Sequence, residues 1–476
     1  MVIRRLVPFV LGAAIAVGAM QTAFSETAGE RAVREAQQYA GSSLTLHFSA
    51  GLMAMEPRVF SGPKWTELTG IKVEVVETNN DELFAKTTAE HRAGTGAFDI
   101  IDVIPMWLGD FVEGGVLEKL DPYIAKYDYA SDLEDVAPTY RKLGDYGDGT
   151  YCFPDDGDQT ILYYRKDLFD DSASDFKAQH GYDLAPPDTW EQFDEISQFL
   201  TDRYAPDVYG SGEIRVKGLI DIYYQERFRT AGGKFFDPDT MKATINSEAG
   251  VRSLDHLVKM RRYMPPGVDS WGYMEQIGAW LAGDIAMTIS WPGLGRASAG
   301  YGSDHEAMGW LPKSAIAGKV GYALPPGGAP QQGGSFCLGV ATLSENKDAA
   351  YLMAQWMNSS DVHPSRSMLP YGIRDPIRFS EFADPEYNAL WPDAPEYLET
   401  LKQGSATALM DLSVRSANAY WDALARGVQA AITGTPSQEA LDGIAAEWDE
   451  ITERIGVEKQ KKAYLTWANK PNAYPN

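Results

Sequence analysis

Cysteine is nearly absent: Cys152 and Cys337 are the only two in 476 residues. Two thiols are too few for a cysteine-built zinc site. In an oxidising compartment they would form one disulfide, and two separate buried thiols are the alternative. Histidine is scarce and scattered. His47, His91, His180, His256, His305 and His363 never fall three or four residues apart, so no helical histidine pair for a metal exists. The chain also lacks a Gly-x-Ser-x-Gly elbow, a phosphate-binding Gly-x-x-x-x-Gly-Lys-Ser/Thr loop and a dinucleotide fingerprint after a strand. Asp156-Gly157-Asp158 lacks the further ligands and the distant Glu of a calcium loop. No catalytic residue, metal or cofactor is assigned on these grounds. Positive charge is in deficit, 42 Lys and Arg against 67 Asp and Glu, a formal net charge of −25. Such a chain repels phosphate backbones and anionic lipid head groups, which excludes nucleic acid and membrane surfaces as partners.

Long apolar runs are missing too. The most apolar stretch, Leu6 to Ala19, falls short of the roughly 20 residues of a membrane span. It follows Arg4 and Arg5 and precedes the small-residue site Ala23-Phe24-Ser25, so residues 1–25 read as a secretory signal cleaved before Glu26. A periplasmic, soluble mature protein is expected, with no lipid anchor because no Cys follows the cleavage site.

Aromatics, by contrast, are plentiful, with 12 Trp and 25 Tyr. Core packing accounts for most tryptophans. Trp107, Trp291 and Trp421 stand out because each lies near the end of an expected element. Strands are expected at 44–48, 71–76, 98–103, 285–290 and 335–340. Helices are expected at 26–40, 57–68, 81–93, 190–203, 220–229, 248–263, 347–357, 418–431 and 438–453. Strands alternating with helices imply an α/β fold with a mainly parallel sheet. Open α/β sheets bind ligands beyond the carboxyl ends of their strands. Those ends carry His47, Asn80, Asp102 and Trp291, along with an acidic turn, Pro154-Asp155-Asp156-Gly157-Asp158, set between the strand-like runs Thr150–Phe153 and Thr160–Tyr164. On its own residues the turn reads as a surface loop or as a polar binding site. Amides and carboxylates suit hydroxyl groups, and indole faces cover the C–H face of a sugar ring.

The order of short motifs resembles one family, the bacterial extracellular solute-binding proteins of the sugar-binding, maltose-binding-protein type. Thr69-Gly70-Ile71-Lys72-Val73 is similar to its early signature. Phe98-Asp99-Ile100-Ile101 through Gly114-Gly115-Val116-Leu117 resembles its Pro-Asp-Ile segment, with Phe98 in place of Pro. Leu162-Tyr163-Tyr164-Arg165-Lys166-Asp167-Leu168-Phe169 resembles its Tyr-Tyr strand, with Arg165 in place of Asn. Pro187-Asp188-Thr189-Trp190, Ala286-Met287-Thr288-Ile289, Gly333-Gly334-Ser335 and Ile432-Thr433-Gly434-Thr435-Pro436 follow in order. Where the family often has Trp near the first strand, this chain has His47-Phe48-Ser49.

The resemblance implies a type II periplasmic-binding-protein fold, two α/β lobes joined by hinge strands around a ligand cleft. Lobe 1 would take residues 43–155 and 333–372, and lobe 2 residues 158–325 and 375–470, with crossings near 154–160, 325–335 and 360–380. The acidic turn becomes the first crossing and Asp158 its ligand-facing carboxylate. Asp102 and Trp107 are implied contacts from lobe 1, and Tyr223, Tyr224 and Glu226 from lobe 2. Trp291, Gly333, Gly334, Arg374 and Trp421 complete the implied set. Cys152 and Cys337 would sit on neighbouring strands near the hinge. The implied protein is a monomeric receptor that hands a mono- or small oligosaccharide to the permease of an ABC importer. A secreted carbohydrate-active enzyme using cleft carboxylates remains the alternative, as does a receptor for a polyol, glycerol phosphate or a polyamine.

Overall fold

Alternation in Leu44-Thr45-Leu46-His47-Phe48 buries Leu44, Leu46 and Phe48 on one face and so builds β1 (Ser43–Ser49). The computed structural model in which it lies describes residues 26–333 and 335–475; the expected signal at 1–25 and the candidate Gly334 fall outside the described residues. Thr27 caps the helix Ala28–Ala36 that leads into β1, and a reciprocal bond from Glu30 completes a capping box. β2 (Lys72–Thr78) and β3 (Ile100–Val103) flank β1, both parallel to it. A short hairpin, β4 (Asp145–Tyr146) and β5 (Gly149–Thr150), precedes β6 (Cys152–Pro154).

The chain then leaves this sheet. β7 (Ile161–Arg165), β8 (Met287–Ser290) and β9 (Val320–Ala323) form a second sheet in the order β8-β7-β9, and β10 (Cys337–Val340) returns to the first. The first sheet runs β2-β1-β3-β10-β6. Only its β1 pairings are parallel; β10 is antiparallel to β3 and β6, and the second sheet is antiparallel throughout. The expectation of a mainly parallel sheet is thereby corrected. β10 enters from the second lobe at the hinge end, so it must run against its neighbours.

Each sheet is wrapped by helices to give two α/β lobes. The helix Lys347–Asn358 packs on the first sheet and Ala394–Thr407 on the second, so the chain passes between lobes a third time between them. The C-terminal helices Ala417–Ile432, Ser437–Ile455 and Val457–Ala468 close the second lobe's core, where Trp448 and Trp467 are fully buried against Phe235, Phe236 and Tyr464. No described helix is long and apolar enough to cross a membrane.

The three passages lie side by side. Thr160 N donates to Gln331 O (2.9 Å), Asp155 N to Phe336 O (2.9 Å) and Gly157 N to Asp375 O (3.2 Å). Gly157 is required there: a Cβ would stand 2.2 Å from the Pro376 carbonyl oxygen. Cys152 and Cys337 are joined in a disulfide across β6 and β10, with Cα atoms 5.5 Å apart and 185 residues between them in sequence. The bridge closes a loop containing the first two passages and most of the second lobe. Its reduction is expected to cost about 2–4 kcal/mol, chiefly by freeing the unfolded chain. Melting curves with and without reductant check this, and coincident curves would refute it.

Candidate functional site

Between the lobes lies a cavity of about 410 Å³, within the range of small-molecule sites. The second lobe's wall comes from the helix Ile220–Thr230. Its residues Asp221, Ile222 and Gln225 share one helical face and line the cavity, and Gly218 joins them from the turn before the helix. The opposite face, Ile220, Tyr223, Tyr224 and Phe228, enters the second lobe's core. β8 ends at Trp291, whose indole Nε1 donates to Gly333 O (2.9 Å) and whose ring meets Tyr273 edge to face at 5.8 Å. Trp421, Asp422 and Ala425 project from one face of the helix Ala417–Ile432. The first lobe contributes Met53, Asn80, Ile104 and Met106, and the passages contribute Asp156, Asp158, Gly333, Phe336, Ile373 and Asp375.

Of the residues singled out from the sequence, Asn80, Asp158, Trp291, Gly333 and Trp421 line this cavity. Seven others do not, and each has another engagement. His47 is fully buried, bonded to Thr78 and Thr87 and stacked on Phe98, and burial together with Lys86 pulls its pKa down to about 4. Asp102 is buried behind Ser49. Trp107 packs against Phe84 and Phe111. Tyr223 and Tyr224 donate to the carbonyls of Ile289 and Ile245 inside the core. Glu226 accepts from Thr160 Oγ1 and from Gln331 N (3.3 Å), tying the helix to two passages. Arg374 pairs through Nε with Asp155 Oδ2 at 2.8 Å, out of line for a hydrogen bond, and donates to Met53 O. Sequence reasoning missed Asp221, Gln225, Tyr273, Asp375, Asp411 and Asp422. The helical face shared by Asp221, Ile222 and Gln225 was the available signal.

Charge on the cavity wall is one-sided. Six aspartates line it, Asp156, Asp158, Asp221, Asp375, Asp411 and Asp422, and no lysine or arginine does so among the described residues. Oxygens of Asp156, Asp158 and Asp375 all lie within 4.8 Å of one another. Burial, then repulsion from neighbouring aspartates, pushes Asp156 up to about 8 and holds Asp158 well above the ordinary carboxylate range, while burial raises Asp375 to about 6 against the pull of Arg296. Burial likewise raises Asp221, Asp102 and Glu226 to about 7. Asp155, immediately beside this cluster, behaves oppositely. Burial alone would raise it, but Arg366 and Arg374 hold it below the ordinary value.

A pH dependence follows. Carboxyls with raised folded-state values keep protons that the unfolded chain releases near pH 4. Their contribution is full below that pH and is lost as pH rises through about 7 to 8. Asp155 and Glu381, both lowered, contribute above pH 4 and lose that contribution in acid. The ligand-free protein is therefore expected to melt several degrees higher at pH 5.5 than at pH 8. A Tm that rises over that interval would contradict the assignment.

The lobes also meet at the cavity's edge. Trp107 Nε1 donates to Asn418 Oδ1 (2.9 Å), Ser416 N to Asp110 (3.0 Å), and Glu113 pairs with Arg415 (3.0 Å) and Lys459 (2.7 Å). Two lobes, three passages and a cavity between them form an arrangement suited to closing around a solute.

Residues 56–364 match the family of bacterial extracellular solute-binding proteins. The chain belongs to that family. A probable amino-acid ABC transporter periplasmic-binding protein of Sinorhizobium fredii is 26% identical over 399 residues, covering 76% of this chain and 84% of the relative. The erythritol/L-threitol-binding protein of Mycolicibacterium smegmatis is 25% identical over 363 residues, 71% of each chain. Among solved structures, an ABC transporter solute-binding protein of Agrobacterium radiobacter in complex with ribitol superimposes with a TM-score of 0.69 at 23% identity, covering 87% of this chain and 99% of that one. A maltose-bound protein of T. maritima gives the same TM-score and 23% identity over 86% of this chain and all of that one. At such identity these structures speak for the fold, the two-lobed type II architecture. As a member of the family, the chain is a solute-binding receptor of an ABC importer, and its relatives are named binding proteins rather than enzymes.

Proposed function

We propose that this receptor is exported through residues 1–25 and works as a periplasmic monomer. It captures a small polyhydroxylated solute between its lobes, a mono- or small oligosaccharide or a polyol, and presents it to the importer's permease. The observation that carries the reading is the cavity's composition: carboxylates and amides to pair with hydroxyls, set among the rings of Tyr273, Trp291 and Trp421. Named binders of erythritol or threitol, of mannitol and of maltotriose among the relatives support the same class. Solute stabilises the closed arrangement by its greater affinity for that state. Phosphorylated polyols are disfavoured, because among the described residues no lysine or arginine lines the wall to receive a phosphate.

A thermal-shift screen over sugars, polyols, glycerol phosphate and polyamines tests the proposal, since a ligand of the native state raises Tm by mass action. Polyhydroxylated compounds are expected to raise it, without turnover. A shift produced by glycerol phosphate or hydroxyl-free polyamines alone, or conversion of a sugar to product, would overturn the reading.

A further inference from the structure

The cleft holds more negative charge than a neutral solute needs. Three of its carboxylates have compensation: Asp375 pairs with the buried Arg296 at 2.8 Å, Asp411 accepts from Gln331 Nε2 at 2.6 Å, and Asp422 is exposed to solvent. Asp156 and Asp158 have no ion pair among the described residues. The Asp156 carboxylate accepts a single backbone N–H, that of Asp375 at 2.8 Å. Asp158 is partly open to the cavity.

A second observation points the same way. Two cavity-lining residues, only 6% and 3% exposed, each carry a buried side-chain oxygen with no hydrogen-bond partner among the described residues, Oδ1 of Asp221 and Oε1 of Gln225. Both are acceptors. Buried acceptors left without donors are costly unless a ligand supplies them. An ammonium group supplies three donors and no acceptor, whereas a hydroxyl supplies one donor and brings lone pairs of its own. The rings of Tyr273 and Trp291 on the same wall offer faces that attract a cation.

We propose that the solute of this cleft carries a protonated amine, seated against Asp156 and Asp158, so that an amine-bearing sugar or polyol is preferred over its neutral counterpart. The proposal rests on the receptor reading above and specifies the charge of its ligand.

Binding then involves protons. The groups facing Asp156 and Asp158 are Asp155 on the same passage, Arg374 and Asp375 on the third passage, Arg296 from the helix Gly293–Ala299, and the hydroxyls of Tyr140 and Tyr273. The two arginines are already committed to Asp375 and Asp155, so the Asp156–Asp158 pair retains proton at neutral pH. An entering ammonium favours the ionised form and expels that proton. Affinity for the amine therefore rises from pH 6 to pH 8, over which an alkyl ammonium keeps its charge.

Titration calorimetry on matched pairs tests this: D-glucitol against 1-amino-1-deoxy-D-glucitol at pH 6 and pH 8, and D-glucose against D-glucosamine, whose amine beside the anomeric carbon is less basic, at pH 6 alone, each in two buffers of different ionisation enthalpy. The expected result is binding at least about tenfold tighter for the amine in a pair, with proton release and with affinity rising with pH. D158N should abolish the amine's advantage, and D221N should reduce it; the second variant serves if the first does not fold. Equal or tighter binding of the hydroxyl member in every pair that binds would overturn the amine preference and leave the receptor reading intact. Binding by no member of either series would defeat both.

Discussion

Replacing Asp158 with asparagine is expected to weaken solute binding about 100-fold while leaving the ligand-free protein as stable as before near pH 4 and increasingly more stable as pH rises to 8. The two effects have one origin. In the empty cleft Asp158 stands beside Asp156 and Asp375 with no cation of its own, and burial and repulsion hold its carboxyl protonated well above the usual range. Asparagine reproduces the shape of that protonated form. It removes the repulsion that grows with pH but cannot accept a charge-assisted bond through two oxygens. Hydrogen bonds to charged groups contribute roughly 1.5–3 kcal/mol, which is about one to two powers of ten in affinity. Calorimetry and melting curves on the one variant separate binding from folding. Unchanged affinity would remove Asp158 from the site, and a large loss of Tm would recast it as a structural residue.

Arg366→Ala is the change expected to damage the fold most, by about 3–5 kcal/mol. Arg366 is fully buried, pairing through Nη2 with Glu56 at 2.8 Å and through Nη1 with Asp155 at 2.5 Å. Its removal strands two carboxylates in an apolar setting, with only Arg374 left beside Asp155. Protonating the stranded acids is then the cheapest relief. The loss should accordingly be larger at pH 8 than at pH 5, opposite to the behaviour of D158N. Chemical denaturation at the two pH values checks the pattern. A triple variant, Arg366→Met with Glu56→Gln and Asp155→Asn, should recover part of the stability, because the cost lies in uncompensated charge rather than in the pair itself. A loss under 1 kcal/mol for the single variant would refute the network's role.

These two residues show what linear sequence does and does not carry. The alternation in β1, the Thr189 capping box on the helix Trp190–Tyr204 and the glycine stops are local, and local signals place most elements to within a few residues. The strand order is not local. Nothing in Cys337-Leu338-Gly339-Val340 says that it enters the first sheet against the direction of β3. The acidic turn was legible as polar and turn-forming, but the division of labour inside it depends on partners more than 200 residues away. Asp155 is ion-paired with Arg366 and Arg374, whereas Asp158 has no ion pair among the described residues and lines the cavity beside other acids. On the helix Ile220–Thr230 the family resemblance drew attention to Tyr223, Tyr224 and Glu226, by their place in the order of motifs. Helical period then assigns the cavity to Asp221, Ile222 and Gln225, a rotation that only the packing of the helix through Phe228 against Phe235 decides. Trp291 and Trp421 were recoverable because each sits at the end of an element whose direction was already clear.

The central claim is that solute is held between the lobes, in the cavity walled by Asp158, Trp291 and Trp421. A crystal structure of the protein grown with the tightest-binding compound from the thermal-shift screen tests it most directly. Density for one solute molecule is expected in that cavity, with a ring or carbon chain against an indole and a polar group within hydrogen-bonding distance of Asp158. Solute bound elsewhere, with the cavity filled only by water, would contradict it.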